Sequence, residues 1–195
     1  MESEGLARPS DPSIAETDTI IPGLPNAPDI KIRIYTPNNL PSPAPAYINF
    51  HGGGFIFGDL DSEHARTLAI SKGCQAIAIT VDYRLAPEHP YPAAIDDCYA
   101  SLIWLVNNAE NIGIDTSRIV VGGGSAGGNL AASVALMARD KHGPSICYQM
   151  LIYPALDDRA NTQSMLHGEN TYVITSQNVL DMWNYYLGYD RTNVP

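Results

Sequence analysis

Apolar and polar residues alternate strictly along Ile30-Lys31-Ile32-Arg33-Ile34, the signature of a strand with one buried face. Thr17 to Ile21 reads the same way, and a Pro, Gly and Asn-containing turn at 22–28 separates the two. After the proline-rich connection from Pro37 to Pro45 the pattern changes. Ala46 to Phe50, Gln75 to Val81, Ile119 to Val121 and Cys147 to Tyr153 are continuous apolar runs, as strands buried on both faces require. Helical spacing fills the gaps. Ser62 to Ser71 predicts a helix with Ser62 as N-cap and Gly73 as its stop, and a second begins at Ala93 with Ile95, Tyr99, Leu102 and Val106 on one face. Prolines 87, 90 and 92 exclude regular structure before it. A third helix follows Gly128, with Leu130, Val134 and Met137 in register. Strands alternating with helices predict an α/β fold, a mostly parallel sheet between two helical layers. Residues 1–16 read as a flexible lead-in. Asp157 to Asp190 turns polar and helical, with Val179, Met182, Trp183 and Tyr186 as an amphipathic face.

Composition narrows the function classes. With 195 residues, 45% hydrophobic and 16% charged, the chain suits one globular domain. Its net charge of −10 gives no basic field for nucleic acid or anionic lipid, so neither is an expected partner. Met1 to Ile20 holds no apolar h-region and no stretch reaches the roughly 18 apolar residues of a span, which predicts a soluble, cytoplasmic protein. Cys74, Cys98 and Cys147 are odd in number, widely spaced and in apolar contexts, and are expected to be small core hydrophobes. No CxxC pair or His/Cys cluster points to a metal, and no cofactor is implied.

Two glycine runs carry the candidate chemistry. Gly123-Gly124-Ser125-Ala126-Gly127 closes one apolar strand and opens an apolar helix, the setting in which a GxSxG turn holds a serine out as a nucleophile. His51-Gly52-Gly53-Gly54-Phe55 closes an earlier strand, and a triple glycine, costly in entropy, suits a place where bare N–H groups must approach a developing oxyanion. Together they point to acyl transfer. Gly122, Gly124 and Gly127 also spell GxGxxG, but that dinucleotide fingerprint belongs to a domain's first βα turn with an acid closing the next strand. Here the turn follows about the fifth strand, and Asp140 closes a helix. His51 is expected to bond its own loop's backbone instead of moving protons, and His64, His89, His142 and His167 are expected to be surface or packing residues.

The run from Phe50 to Phe55 with Asp59, Ser62 and His64, then Asp82-Tyr83-Arg84-Leu85-Ala86-Pro87-Glu88-His89-Pro90-Tyr91-Pro92-Ala93, then Gly124 to Asn129, resembles the hormone-sensitive-lipase-like carboxylesterases of the α/β-hydrolase superfamily. The resemblance covers about Asp29 to Tyr153, and Trp183 to Gly188 is similar to that family's second cap segment. It implies Ser125 as nucleophile, the N–H groups of Gly53, Gly54 and Ala126 as oxyanion donors, a scaffolding role for Asp82 to Ala93, and a small-molecule ester as substrate. The family usually carries an acid where Gly124 stands. Its Asp-Pro-Leu and His-Gly-Phe motifs, which hold the catalytic acid and base, do not occur in this sequence.

The expectation is therefore an α/β-hydrolase domain lacking the last two strands, with residues 17–195 as a partial domain and 157–190 as a cap-like segment. Such a chain would be nearly inactive by itself. Two other readings stay open: a non-catalytic small-molecule binder of the same fold, and an amidase or formamidase. Asp157 or Asp158 with His167 forms an improvised acid and base in a further alternative.

Overall fold

A computed structural model describes residues 8–167 and 172–188. Within them six strands form one sheet in the order β1-β2-β4-β3-β5-β6: β1 (Ile14–Ile21), β2 (Ile30–Pro37), β3 (Ala44–Phe50), β4 (Ile77–Asp82), β5 (Ile114–Gly124) and β6 (Tyr148–Ile152). β1 with β2 and β2 with β4 pair antiparallel, whereas β4, β3, β5 and β6 run parallel. The mostly parallel sheet expected from the apolar runs is present, with Ile32, Ile48, Phe50, Ile79, Ile119 and Val121 inaccessible or nearly so.

Helices α1 (His64–Cys74), α2 (Ala93–Asn107), α3 (Ala109–Ile112), α4 (Ala126–Asp140), α5 (Gln163–Leu166) and α6 (Ser176–Leu187) join or follow the strands. In α2 the buried stripe runs through Ile95, Cys98, Tyr99, Leu102 and Leu105; Val106 sits at its margin, because Leu105 stays closer to the 3.6-residue line from Cys98 and Leu102. Leu130 and Val134 of α4 are fully buried, and Met137 packs at the edge of the core. A capping box at Thr175 and Asn178 starts α6, whose Met182, Trp183 and Tyr186 are buried and whose Val179 is partly so.

Several boundaries differ from the sequence expectation. Helix α1 begins at His64, because the Ser62 hydroxyl bonds Asp59 instead of capping. It ends at Gln75 in the left-handed region, φ 48°, and Gly73 remains inside the helix. Helix α4 begins at Ala126, two residues before Gly128. β1 begins at Ile14, so residues 14–16 belong to the sheet. Residues 8–13 are tied down by Arg8 to Glu16 (2.8 Å), Lys72 to Asp11 (2.6 Å) and the His64 ring to the Pro9 carbonyl (2.8 Å). Residues 1–7 of the lead-in, and 168–171 and 189–190 of the cap-like segment, lie outside the described residues. Of the cysteines only Cys98 is a core residue. Cys74 and Cys147 are exposed, one at the end of α1 and one ahead of the sheet-edge strand β6. Among the described residues no group of three or more His, Cys, Asp or Glu is placed to hold a metal ion, and no helix is long and apolar enough to cross a membrane.

The fold brings the two glycine runs together. β3 and β5 are parallel neighbours with Phe50 opposite Gly123, so His51 to Gly54 and Gly124 to Ala126 leave the same end of the sheet side by side.

Candidate active site

Ser125 sits at the N-cap position of α4 with φ 55° and ψ −117°, a conformation that costs a non-glycine residue about 1–3 kcal/mol. A serine at an N-cap ordinarily turns its hydroxyl back onto the helix amides. Here the side chain makes no capping bond, and among the described residues Oγ has no hydrogen-bond partner. The backbone is held from three sides: Ser125 N–H donates to the Ile152 carbonyl (2.9 Å), and the Ser125 carbonyl accepts from Asn129 and Ala155 (3.1 Å each). The Asn129 amide group donates to the Ala155 carbonyl (2.8 Å), fastening the loop after β6 to the turn.

Flanking glycines let the turn approach β3. A Cβ on Gly127 would lie 1.9 Å from the Phe50 carbonyl oxygen, and one on Gly123 would lie 2.2 Å from the same atom. In the facing loop the glycines serve the backbone conformation: Gly53 has φ 114° and Gly54 φ 62°. The Gly53 carbonyl accepts from Ile56 (3.1 Å) and Phe57 (2.9 Å), closing the loop on itself. Neither the Gly53 nor the Gly54 N–H is used in a hydrogen bond among the described residues. Ala126 opens α4, where a helix leaves its first N–H groups without intrahelical partners.

His51 is fully buried, as a structural residue should be. A carbonyl can only accept, so Nδ1 carries the proton and donates to the Gly52 carbonyl at 2.7 Å. The ring stacks on Tyr83 at 4.1 Å between centroids, and the Tyr83 hydroxyl donates to the His51 carbonyl (2.8 Å). Burial, the largest influence, lowers the His51 pKa and raises those of Tyr83 and Asp82. The Arg84 guanidinium grips Asp97 of α2 through Nε (2.9 Å) and Nη2 (2.7 Å), and the Ala86 N–H donates to the Phe55 carbonyl (2.9 Å). The segment from Asp82 to Ala93 thus braces the glycine loop from below.

A cleft of about 340 Å³ is lined by Gly52, Gly53, Phe57, Gly58, Ser62, Glu63, Gly124, Ser125 and Tyr153. It contains Ser125 and Gly53; Gly54 and Ala126 adjoin it without lining it. Asp157, Asp158 and His167 do not line it either, and Asp157 is engaged with Arg159 (2.7 Å). A more polar hollow of about 660 Å³, bounded by Arg8, Pro9, Asp61 and Arg66, shares Ser62, Glu63 and Tyr153 with it.

Residues 47–195 match a protein family described as the alpha/beta hydrolase fold. The chain belongs to this family. Among curated members, Carboxylesterase NlhH of Mycobacterium tuberculosis (strain CDC 1551 / Oshkosh) is 49% identical over 126 residues, 65% of this chain and 40% of that protein. Esterase LipI of Mycobacterium tuberculosis (strain ATCC 25618 / H37Rv) is 46% identical over 150 residues, 76% and 46% respectively. The chain thus spans less than half the length of these curated relatives. The solved structure titled Bacterial Heroin Esterase superposes with a TM-score of 0.93 at 38% identity, covering 97% of this chain and 61% of that one. The relatives are esterases, in agreement with the resemblance to carboxylesterases carried by the sequence motifs.

Within this α/β hydrolase the cleft also holds residues that sequence reasoning did not single out. Glu63 and Phe57 reach it from the segment after the glycines, and Tyr153 from the turn after β6, where its φ is 36°. Met182 and Tyr186 of α6 pack on the loop from the other side. A Cβ on Gly54 would lie 3.1 Å from Met182 Cγ, and Phe55 stacks on Tyr186 at 3.9 Å. The amphipathic face of α6 was the available signal, and nothing in the sequence said what it would cover.

Proposed function

We propose that the protein is a serine carboxylesterase acting on short- to medium-chain esters. Ser125 Oγ attacks the ester carbonyl, the N–H groups of Gly53, Gly54 and Ala126 stabilise the tetrahedral oxyanion, and water releases the acyl group. The observation that carries this reading is the strained Ser125 turn with an unbonded hydroxyl, facing a loop whose Gly53 and Gly54 N–H groups have no partner among the described residues. Esterase relatives support the reaction class. Residues 157–190 are read as a cap-like segment, in keeping with α6 lying on the glycine loop.

The reaction also needs an acid and a base, and no described histidine bonds Ser125. These 195 residues by themselves are therefore expected to retain only about 10³-fold acceleration over water, the contribution of the oxyanion donors and binding. The same observation favours a second reading, a small-molecule binder that uses the cleft without chemistry. Hydrolysis of 4-nitrophenyl butyrate by the protein purified from its source, beside its Ser125→Ala variant, separates the two. The esterase reading expects a loss of at least about 10³-fold in kcat/KM. Binding of the ester without turnover supports the binder.

A further inference from the structure

We propose that Glu63 is a positioning residue for the oxyanion loop, an inference that rests on the esterase reading above. Glu63 occupies the N-cap position of α1, where an acidic side chain ordinarily accepts from the helix amides, yet it makes no capping bond. Its carboxylate turns instead toward the end of β3. Oε1 accepts from the Gly52 N–H (3.2 Å), Oε2 accepts from the Asn49 side-chain amide (3.0 Å), and the Arg66 guanidinium closes on Oε2. The carboxylate is mostly buried, and Asn49 is itself fixed, accepting from the Tyr47 hydroxyl (2.9 Å). On the other side, a Cβ on Gly124 would lie 3.2 Å from Arg66 and 3.3 Å from Glu63 Oε1, so the pair packs against the residue before the nucleophile.

Peptide planarity turns these contacts into an aim for the donors. The Gly52 carbonyl and the Gly53 N–H belong to one rigid trans peptide and point in opposite directions. His51 Nδ1 holds that carbonyl, and Glu63 holds the N–H of the preceding peptide. Gly52 is thereby pinned at both ends, although it is the residue type most able to swing. The Gly53 donor is fixed before substrate arrives, which is the condition for it to favour the transition state over the ground state. Glu63 acts through Gly52 and requires no contact with substrate.

The test uses the native protein, Glu63→Ala and, should that variant not fold, Glu63→Gln, whose amide oxygen keeps one acceptor. Kinetics with 4-nitrophenyl butyrate are read beside amide hydrogen exchange of the segment 50–57. Glu63→Ala is expected to lower kcat about 30- to 100-fold, the scale of a small misplacement at a reacting centre, with KM within about twofold. Exchange of the Gly52 N–H, the one Glu63 holds, is expected to rise at least tenfold while β3 and β5 keep their protection. Glu63→Gln is expected to show the same pattern, reduced several-fold. Unchanged exchange and kcat overturn the proposal. So does a raised KM with kcat intact, which assigns Glu63 to substrate binding, or a uniform loss of protection, which makes it merely structural. Should the wild type hydrolyse no ester, the esterase reading fails, and exchange of the Gly52 N–H still decides whether Glu63 pins the loop.

Discussion

The two glycine-rich turns of the site lie side by side and are built for different physical reasons. In the turn around Ser125, Gly123 and Gly127 are needed for space, because the Phe50 carbonyl oxygen lies where their side chains would begin. In the loop after His51, Gly53 and Gly54 are needed for conformation, since both sit at positive φ, and only at Gly53 would a Cβ also meet backbone, the Phe57 carbonyl oxygen at 2.1 Å. The first turn holds a strained serine by packing it against a neighbouring strand. The second holds unused N–H groups in place with side chains brought from elsewhere: His51, Glu63, and Met182 and Tyr186 of α6. Identical residues in a sequence thus serve two tasks, and only the neighbours tell them apart.

Alanine at each turn separates space from conformation. Gly127→Ala drives a Cβ into backbone that cannot move aside, and is expected to cost about 4 kcal/mol or more, enough to unfold a marginal domain. Urea denaturation measures it, and a loss below about 1 kcal/mol would mean the turn is not packed as described. Gly54→Ala meets mainly the flexible Met182 side chain, so its cost is expected to be the left-handed backbone itself, about 1–2 kcal/mol. Gly124→Ala is the control inside the first turn. Its φ is not positive and its Cβ meets the side chains of Arg66 and Glu63, so a change within about 0.5 kcal/mol is expected. A cost equal to that of Gly127→Ala would erase the distinction.

A pH effect of smaller size probes how the second loop is held. Burial depresses the His51 pKa below its unfolded value of 6.5, so below that pH the unfolded chain binds more protons than the folded one. The stability that His51 contributes is therefore present above pH 6.5 and is lost as pH falls toward its lowered folded value. Asp82 runs the other way. Its folded pKa is raised by burial above 3.8, so its contribution is present below pH 3.8 and lost as pH rises through the folded value. The urea midpoint is expected to drop between pH 7.5 and 5.5, and to drop less in His51→Gln. An equal drop in both would place the proton elsewhere.

The parallel sheet was legible because Ala46 to Phe50 and Gln75 to Val81 are too uniformly apolar for half-exposed strands. That the Ser125 turn and the glycine loop leave neighbouring strands at one end of the sheet was legible because each glycine cluster directly follows an apolar run. Boundaries were read less well where a side chain had a better offer. Ser62 bonds Asp59, so α1 starts late, and Gly127 and Gly128 enter α4 because a Cβ would strike the Phe50 carbonyl of β3 at Gly127 and Pro154, after β6, at Gly128. Cys74 and Cys147 were misjudged because apolar neighbours in sequence do not set which way a residue faces at an element's end. Glu63 escaped notice for the opposite reason: an acid beside a helix start looks like a cap, and its true partners, Asn49 and Gly52, are 14 and 11 residues away.

The central claim is that Ser125 is the nucleophile. The most direct measurement is peptide mass spectrometry of the protein purified from its source after treatment with a fluorophosphonate, which reports the serine that becomes phosphonylated. A single adduct on Ser125, absent from Ser125→Ala, is the expected result. An adduct on another residue, or full modification in the Ser125→Ala variant, would contradict it.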